Sequence, residues 1–91
     1  MMKKQRNTKQ FKKDLKKLLK RGNQKEDIDK VVHLLRNGTI IDRVYQDHAL
    51  SGNLEAFREL HISSDWLLIY QTTDTEVRLI RTGTHSDLFK L

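Results

Sequence analysis

Ninety-one residues carry a net charge of +6 and no cysteine. That length makes one domain with a modest core, and the missing thiols exclude disulfides, zinc ribbons and cysteine catalysis. No run approaches the roughly 18 apolar residues of a membrane span, and the basic start lacks the apolar stretch of a secretory signal, so the chain reads as cytoplasmic, with no membrane-spanning segment.

The charge is uneven along the chain. Eleven of the Lys/Arg residues and a single acid, Asp14, fall in residues 1–25, a net +10 against −4 for the remainder. Such a segment suits nucleic-acid phosphates, with binding that weakens as salt rises. An anionic membrane or an acidic protein is the competing partner.

Residues 1–8 are polar and basic, a frayed end or a short edge strand, where lysines discourage aggregation. A helix is expected from Thr8, a plausible N-cap. Phe11, Leu15, Leu18 and Leu19 form its apolar stripe, and Lys12, Lys13, Lys16, Lys17 and Lys20 populate the other side. Arg21-Gly22-Asn23 stops it. A second helix is expected from about Gln24 to Arg36, with Glu26, Asp27 and Asp29 near its positive end and Ile28, Val31, Val32, Leu34 and Leu35 on its buried side. The short loop between the helices implies an antiparallel hairpin. His33 reads as a surface or packing residue.

Thr39 to Gly52 has weak periodicity and reads as a connecting loop held by Tyr45 and Leu50. Three strands follow, Ala56–Ile62, Trp66–Gln71 and Glu76–Thr82, joined by short polar turns. Alternation puts Val77, Leu79 and Arg81 on one face of the last strand and Arg78 and Ile80 on the other. The expected architecture is α+β: an N-terminal helical hairpin packed on one face of a small antiparallel sheet.

Antiparallel order brings the end of one strand beside the start of the next. His61, Asp65 and Trp66 therefore share one edge of the sheet, and Arg81 and His85 approach the same edge, with His48 on the preceding loop. Three imidazoles and a carboxylate could hold a metal, although their spacing matches no compact zinc pattern. They could also perform acid–base chemistry, since histidine's unperturbed pKa near 6.5 lets one ring accept a proton while another donates one. RNA offers a use for such a pair: attack of a 2′-hydroxyl on the adjacent phosphorus, with a cation such as Arg81 stabilising the added charge.

The blocks Tyr45-Gln-Asp-His48-Ala-Leu-Ser-Gly52, Phe57-Arg-Glu-Leu-His61, Asp65-Trp-Leu-Leu-Ile-Tyr70 and Arg81-Thr-Gly-Thr-His85-Ser-Asp-Leu-Phe89 closely resemble the YafQ branch of the RelE-type bacterial toxins. The resemblance covers residues 43–90 with clear motifs and residues 8–40 by pattern. It implies a single RelE-like toxin domain over residues 1–91. The implied activity is a ribosome-dependent mRNA endoribonuclease of a type II toxin–antitoxin system, needing no cofactor or metal and held inactive by a cognate antitoxin. Operator DNA would be reached only through the antitoxin complex. By position, His48, His61, Asp65 and His85 fall in the catalytic set. Trp66 and Phe89 are implied to contact the substrate, and Arg81 to contact phosphate. Ala49 and Leu54 depart from the proline and tryptophan usual in relatives. The lysine-rich first helix would dock on ribosomal RNA through Lys12, Lys13, Lys16, Lys17 and Lys20. The reading from another class is a non-catalytic RNA- or antitoxin-binding module of the same fold.

Overall fold

A computed structural model describes residues 2–38, 45–50 and 57–89. Strand β1 (Lys4–Asn7) leads into helix α1 (Lys9–Lys20) and helix α2 (Lys25–Arg36); strands β2 (His48–Ala49), β3 (Arg58–Ser63), β4 (Trp66–Thr72) and β5 (Glu76–Gly83) follow, and a one-turn helix, α3 (His85–Phe89), comes last. The sheet order is β1-β5-β4-β3-β2. The expected Ala56 start of the third-last strand, the Ser51-Gly52 pair and Leu54 lie outside the described residues.

Both helices form where their apolar stripes and caps place them. Thr8 caps α1 by accepting the Phe11 N–H at 2.9 Å, and Gly22 follows the helix with a φ of +104°, a left-handed conformation that suits glycine. Phe11 and Leu18 of α1 join Ile28, Val31, Val32 and Leu35 of α2 in one core with Leu60, Trp66, Leu68, Tyr70, Val77 and Leu79 of the sheet. These sheet residues alternate along their strands, so one face carries the core.

Three features differ from the expectation. The sheet is not wholly antiparallel, because β1 pairs with β5 in parallel; the two are far apart in sequence, so no tight hairpin constrains their relative direction. The loop before β3 holds a short strand, His48–Ala49, paired antiparallel to Arg58–Glu59. Two residues carry no readable alternation. Finally, the assignment of Arg81 to the face of Val77 and Leu79 is corrected by a β-bulge. Ile69 pairs with Arg81 while Tyr70 pairs with Leu79, leaving Ile80 as the extra residue. The bulge shifts the alternation, so Thr82 returns to the helix-facing side and Arg81 turns to the other.

Candidate active site

The sheet face away from the helices presents His48, Glu59, His61, Ile69 and Arg81. The β3–β4 hairpin turns through Ser64 and Asp65, since Ser63 pairs directly with Trp66. After β5, Gly83 admits α3: a Cβ on Gly83 would lie 2.9 Å from the Asp87 Cβ, closer than side-chain carbons approach. The Arg-Thr-Gly-Thr-His block is thus a folding device as well as a source of side chains. It lets α3 fold tightly against the strand end and sets His85 beside Asp65.

Asp65 Oδ1 accepts hydrogen bonds from His85 Nδ1 at 2.9 Å and from the His85 backbone N–H at 3.2 Å. Those two bonds hold the Asp65 carboxyl below its usual range. An ionised carboxylate only accepts, so His85 Nδ1 carries the proton and the neutral ring keeps its lone pair on Nε2. The His61 and His85 ring centroids are 5.8 Å apart, and the Phe89 ring lies 6.4 Å from that of His85.

Glu59 joins these groups, although nothing in the sequence singled it out. It is 5 % exposed, and its Oε1 lies 3.5 Å from His48 Nε2. The register opposes His48 to Glu59 directly, so their side chains share a face. Atoms of Glu59, His61 and His85 lie within 4.8 Å of one another, close enough to hold one metal ion. The available signal was alternation: Glu59 and His61 stand two apart on one strand, and a carboxylate at such a position beside histidines is a candidate.

His48 is fixed from both sides. Its Nδ1 meets the Gln46 carbonyl at 2.8 Å, which Gln46 offers by adopting a φ of +50°. The intervening Asp47 reaches the opposite face, where it accepts from the Tyr70 hydroxyl at 2.6 Å and from Arg58 Nη2 at 3.0 Å. Burial, then the bond to Asp47, raises the Tyr70 pKa. Asp47 thus anchors the segment that carries His48.

The structure brings together His48, His61, Asp65 and His85, with Phe89 at the edge. It does not place Trp66 with them. That residue is 2 % exposed in the helix-side core, and its indole N–H donates to Thr82 Oγ1 at 2.8 Å; base stacking does not suit it, because strand alternation points it inward. Arg81 lines an apolar cleft of about 250 Å³ with Ile69, Ile80 and Phe89, and its guanidinium is clamped by Asp14. Lys12, Lys13, Lys16, Lys17 and Lys20 are all exposed along the outer side of α1. Among the described residues, no helix is long and apolar enough to cross a membrane.

Comparison with known proteins bears directly on this geometry. The family described as "Bacterial toxin of type II toxin-antitoxin system, YafQ" matches residues 3–90. The mRNA interferase toxin YafQ of Escherichia coli K12 is 41% identical over 81 residues, covering 88% of each chain. A copper-bound toxin variant from Helicobacter pylori superposes with a TM-score of 0.91 at 42% identity, covering 98% of this chain and 100% of the other. YafQ in the E. coli DinJ–YafQ toxin–antitoxin complex gives a TM-score of 0.90 at 36% identity over 98% of this chain and 99% of that one.

Proposed function

The chain belongs to the YafQ family of type II toxin–antitoxin toxins, and from that premise we propose that it is an mRNA interferase, a single toxin domain over residues 1–91 that cleaves mRNA on the ribosome in the cytoplasm. The observation that carries the reading is the Asp65–His85 pair, whose bonding leaves His85 Nε2 open beside His61. A ring held in one tautomer by a carboxylate is suited to move a proton at its other nitrogen.

The 2′-hydroxyl loses its proton and attacks the adjacent phosphorus while the bond from phosphorus to the 5′-oxygen breaks. A second proton reaches that leaving oxygen. The products are a 2′,3′-cyclic phosphate and a 5′-hydroxyl. His85 exchanges a proton at Nε2, and Asp65 fixes its tautomer. His61 and His48, each beside Glu59, serve the opposite transfer. Arg81 contacts the phosphate and balances the added negative charge. Phe89 orients a base. The α1 lysines dock on ribosomal RNA and contribute little to the chemical step. A cognate antitoxin silences the protein, and operator DNA is engaged only through that complex.

The test is induced expression of wild type and His85→Ala in a bacterium. Growth arrest and mRNA cleavage lost in the variant support the enzyme. Harmless expression of both, with RNA still bound, supports a non-catalytic binding module.

A second reading is favoured by the spacing of Glu59, His61 and His85. Two imidazoles and a carboxylate suit copper or zinc. Bound metal would occupy lone pairs that the proton transfers need, so it would inhibit. A chelator of transition metals should then preserve or raise cleavage. A metal-dependent hydrolase would lose activity and recover it on metal addition.

A further inference from the structure

Strand β1 covers β5 only from Glu76 to Leu79, so the remainder of that sheet edge needs other partners. Helix α1 lies against β5 and supplies them. The Leu79 carbonyl accepts from Thr8 N–H at 3.1 Å, the Ile80 carbonyl accepts from Thr8 Oγ1 at 2.7 Å, and the Thr82 N–H donates to Asp14 Oδ2 at 3.3 Å. Asp14 thus reaches the strand at the β-bulge that turns Arg81 toward the open face.

The contact with Arg81 itself is a fork. Arg81 Nε donates to Asp14 Oδ2 and Nη2 to Oδ1, both at 3.0 Å. Gln10 Nε2 adds a bond to Oδ1 at 3.0 Å. Burial alone would raise the Asp14 carboxyl, but the bonds from Arg81, Gln10 and Thr82 outweigh it and hold the group ionised below the usual range. The Asp14 side chain is 10% exposed and that of Arg81 35%. Two parallel bonds fix the plane of the guanidinium as well as its place. They use one edge of the fork. Nη1 makes no hydrogen bond among the described residues, and Arg81 simultaneously lines the cleft that holds Phe89.

We propose that Asp14, on the helix assigned to docking, is a positioning residue for the reaction: it clamps Arg81 so that the free edge of the guanidinium faces the scissile phosphate. The inference rests on the reading of Arg81 as the phosphate contact. A lysine at position 81 would keep the charge but lose the fork, since an ammonium cannot make two fixed planar bonds. With the Asp14 side chain only 10% exposed, breaking the pair is expected to cost some stability as well, so the clamp is distinguished from a structural role by the rate constant of the folded protein and by its dependence on Arg81.

The experiment is single-turnover mRNA cleavage on ribosomes at saturating protein, with ribosome affinity and melting temperature measured in parallel. Asp14→Asn, Arg81→Ala, Arg81→Lys and the Asp14→Asn/Arg81→Ala double variant are compared with wild type. Asp14→Asn is expected to lower the rate constant by tenfold or more with ribosome affinity within twofold. Arg81→Lys is expected to fall similarly. In the Arg81→Ala background, Asp14→Asn should change the rate by less than twofold, an outcome that a merely structural role would not give. The proposal is overturned if Asp14→Asn or Arg81→Lys cleaves like wild type, or if the Asp14 effect multiplies fully onto that of Arg81→Ala. An Arg81→Ala variant as fast as wild type would instead remove the phosphate-contact reading, and the proposal with it.

Discussion

The two faces of the sheet are built from neighbouring residues of the same strands, yet they do opposite work. On the helix side, Leu60, Trp66, Leu68, Tyr70, Val77 and Leu79 are each 2% exposed or less. Their polar atoms are answered internally, as when the Trp66 indole donates to Thr82. On the other side a buried glutamate stands among imidazoles, an arrangement that costs stability unless the charge is paired. On β3, alternation gives Leu60 to the core and Glu59 and His61 to the polar face, so substitutions one position apart there should separate stability from activity.

The largest separation is expected between His85 and the core. His85→Ala should lower cleavage by about 10²–10⁴-fold while leaving the melting temperature nearly unchanged, because that side chain is exposed. Leu68→Ala, at a fully buried position, should cost about 2–5 kcal/mol in denaturant unfolding. If the two variants lose stability equally, the division between faces is wrong.

Glu59→Gln probes the comparison from inside the polar face. The shape is kept and a buried charge removed, so stability should hold or rise while cleavage drops about tenfold or more. Thermal melting beside an RNA cleavage assay reads both.

Replacing Lys12, Lys13, Lys16 and Lys17 together should weaken ribosome binding and flatten its salt dependence. An unchanged slope removes the docking role of α1.

Smaller effects follow from Tyr70 and Asp87. The Tyr70 pKa is raised, so its contribution to stability is full below about pH 10 and is lost as pH rises beyond that. Tyr70→Phe should remove this alkaline loss and cost about 1 kcal/mol at neutral pH. The Asp87 pKa is lowered by its bonds from Arg21 and the Thr84 N–H. Its contribution is full above about pH 4 and fades as pH falls below that. Asp87→Asn should flatten the acid limb of a stability–pH curve, by a modest amount because the pair is partly solvated.

Much of this was legible in the sequence because it is periodic. The stripe of Phe11, Leu15 and Leu18 specified α1, the run Trp66–Tyr70 specified a central strand, and antiparallel order placed His61, Asp65 and His85 together. What escaped depends on contacts between distant segments. The parallel pairing of β1 joins residues far apart in the chain, Lys4 with Glu76 through Asn7 with Leu79, which no local pattern shows. The facing of Arg81 depends on a one-residue bulge that no local pattern records. Glu59 was not singled out in the sequence, and it is buried beside His48, His61 and His85, which reach it from other segments or from two positions along its strand. Trp66 misled in the other direction: its place in a motif suggested substrate, while its place in the alternation pointed to the core.

The proposed cleavage has the histidine face moving protons, without a metal. The most direct test is to map the ends of mRNA cut on ribosomes by the purified protein, with a chelator that removes transition metals and spares magnesium. Proton transfer by the histidines should leave 2′,3′-cyclic phosphate and 5′-hydroxyl ends, unchanged by the chelator and absent with His85→Ala. Ends carrying a 5′-phosphate, or cleavage lost to the chelator and restored by a transition metal, would contradict it.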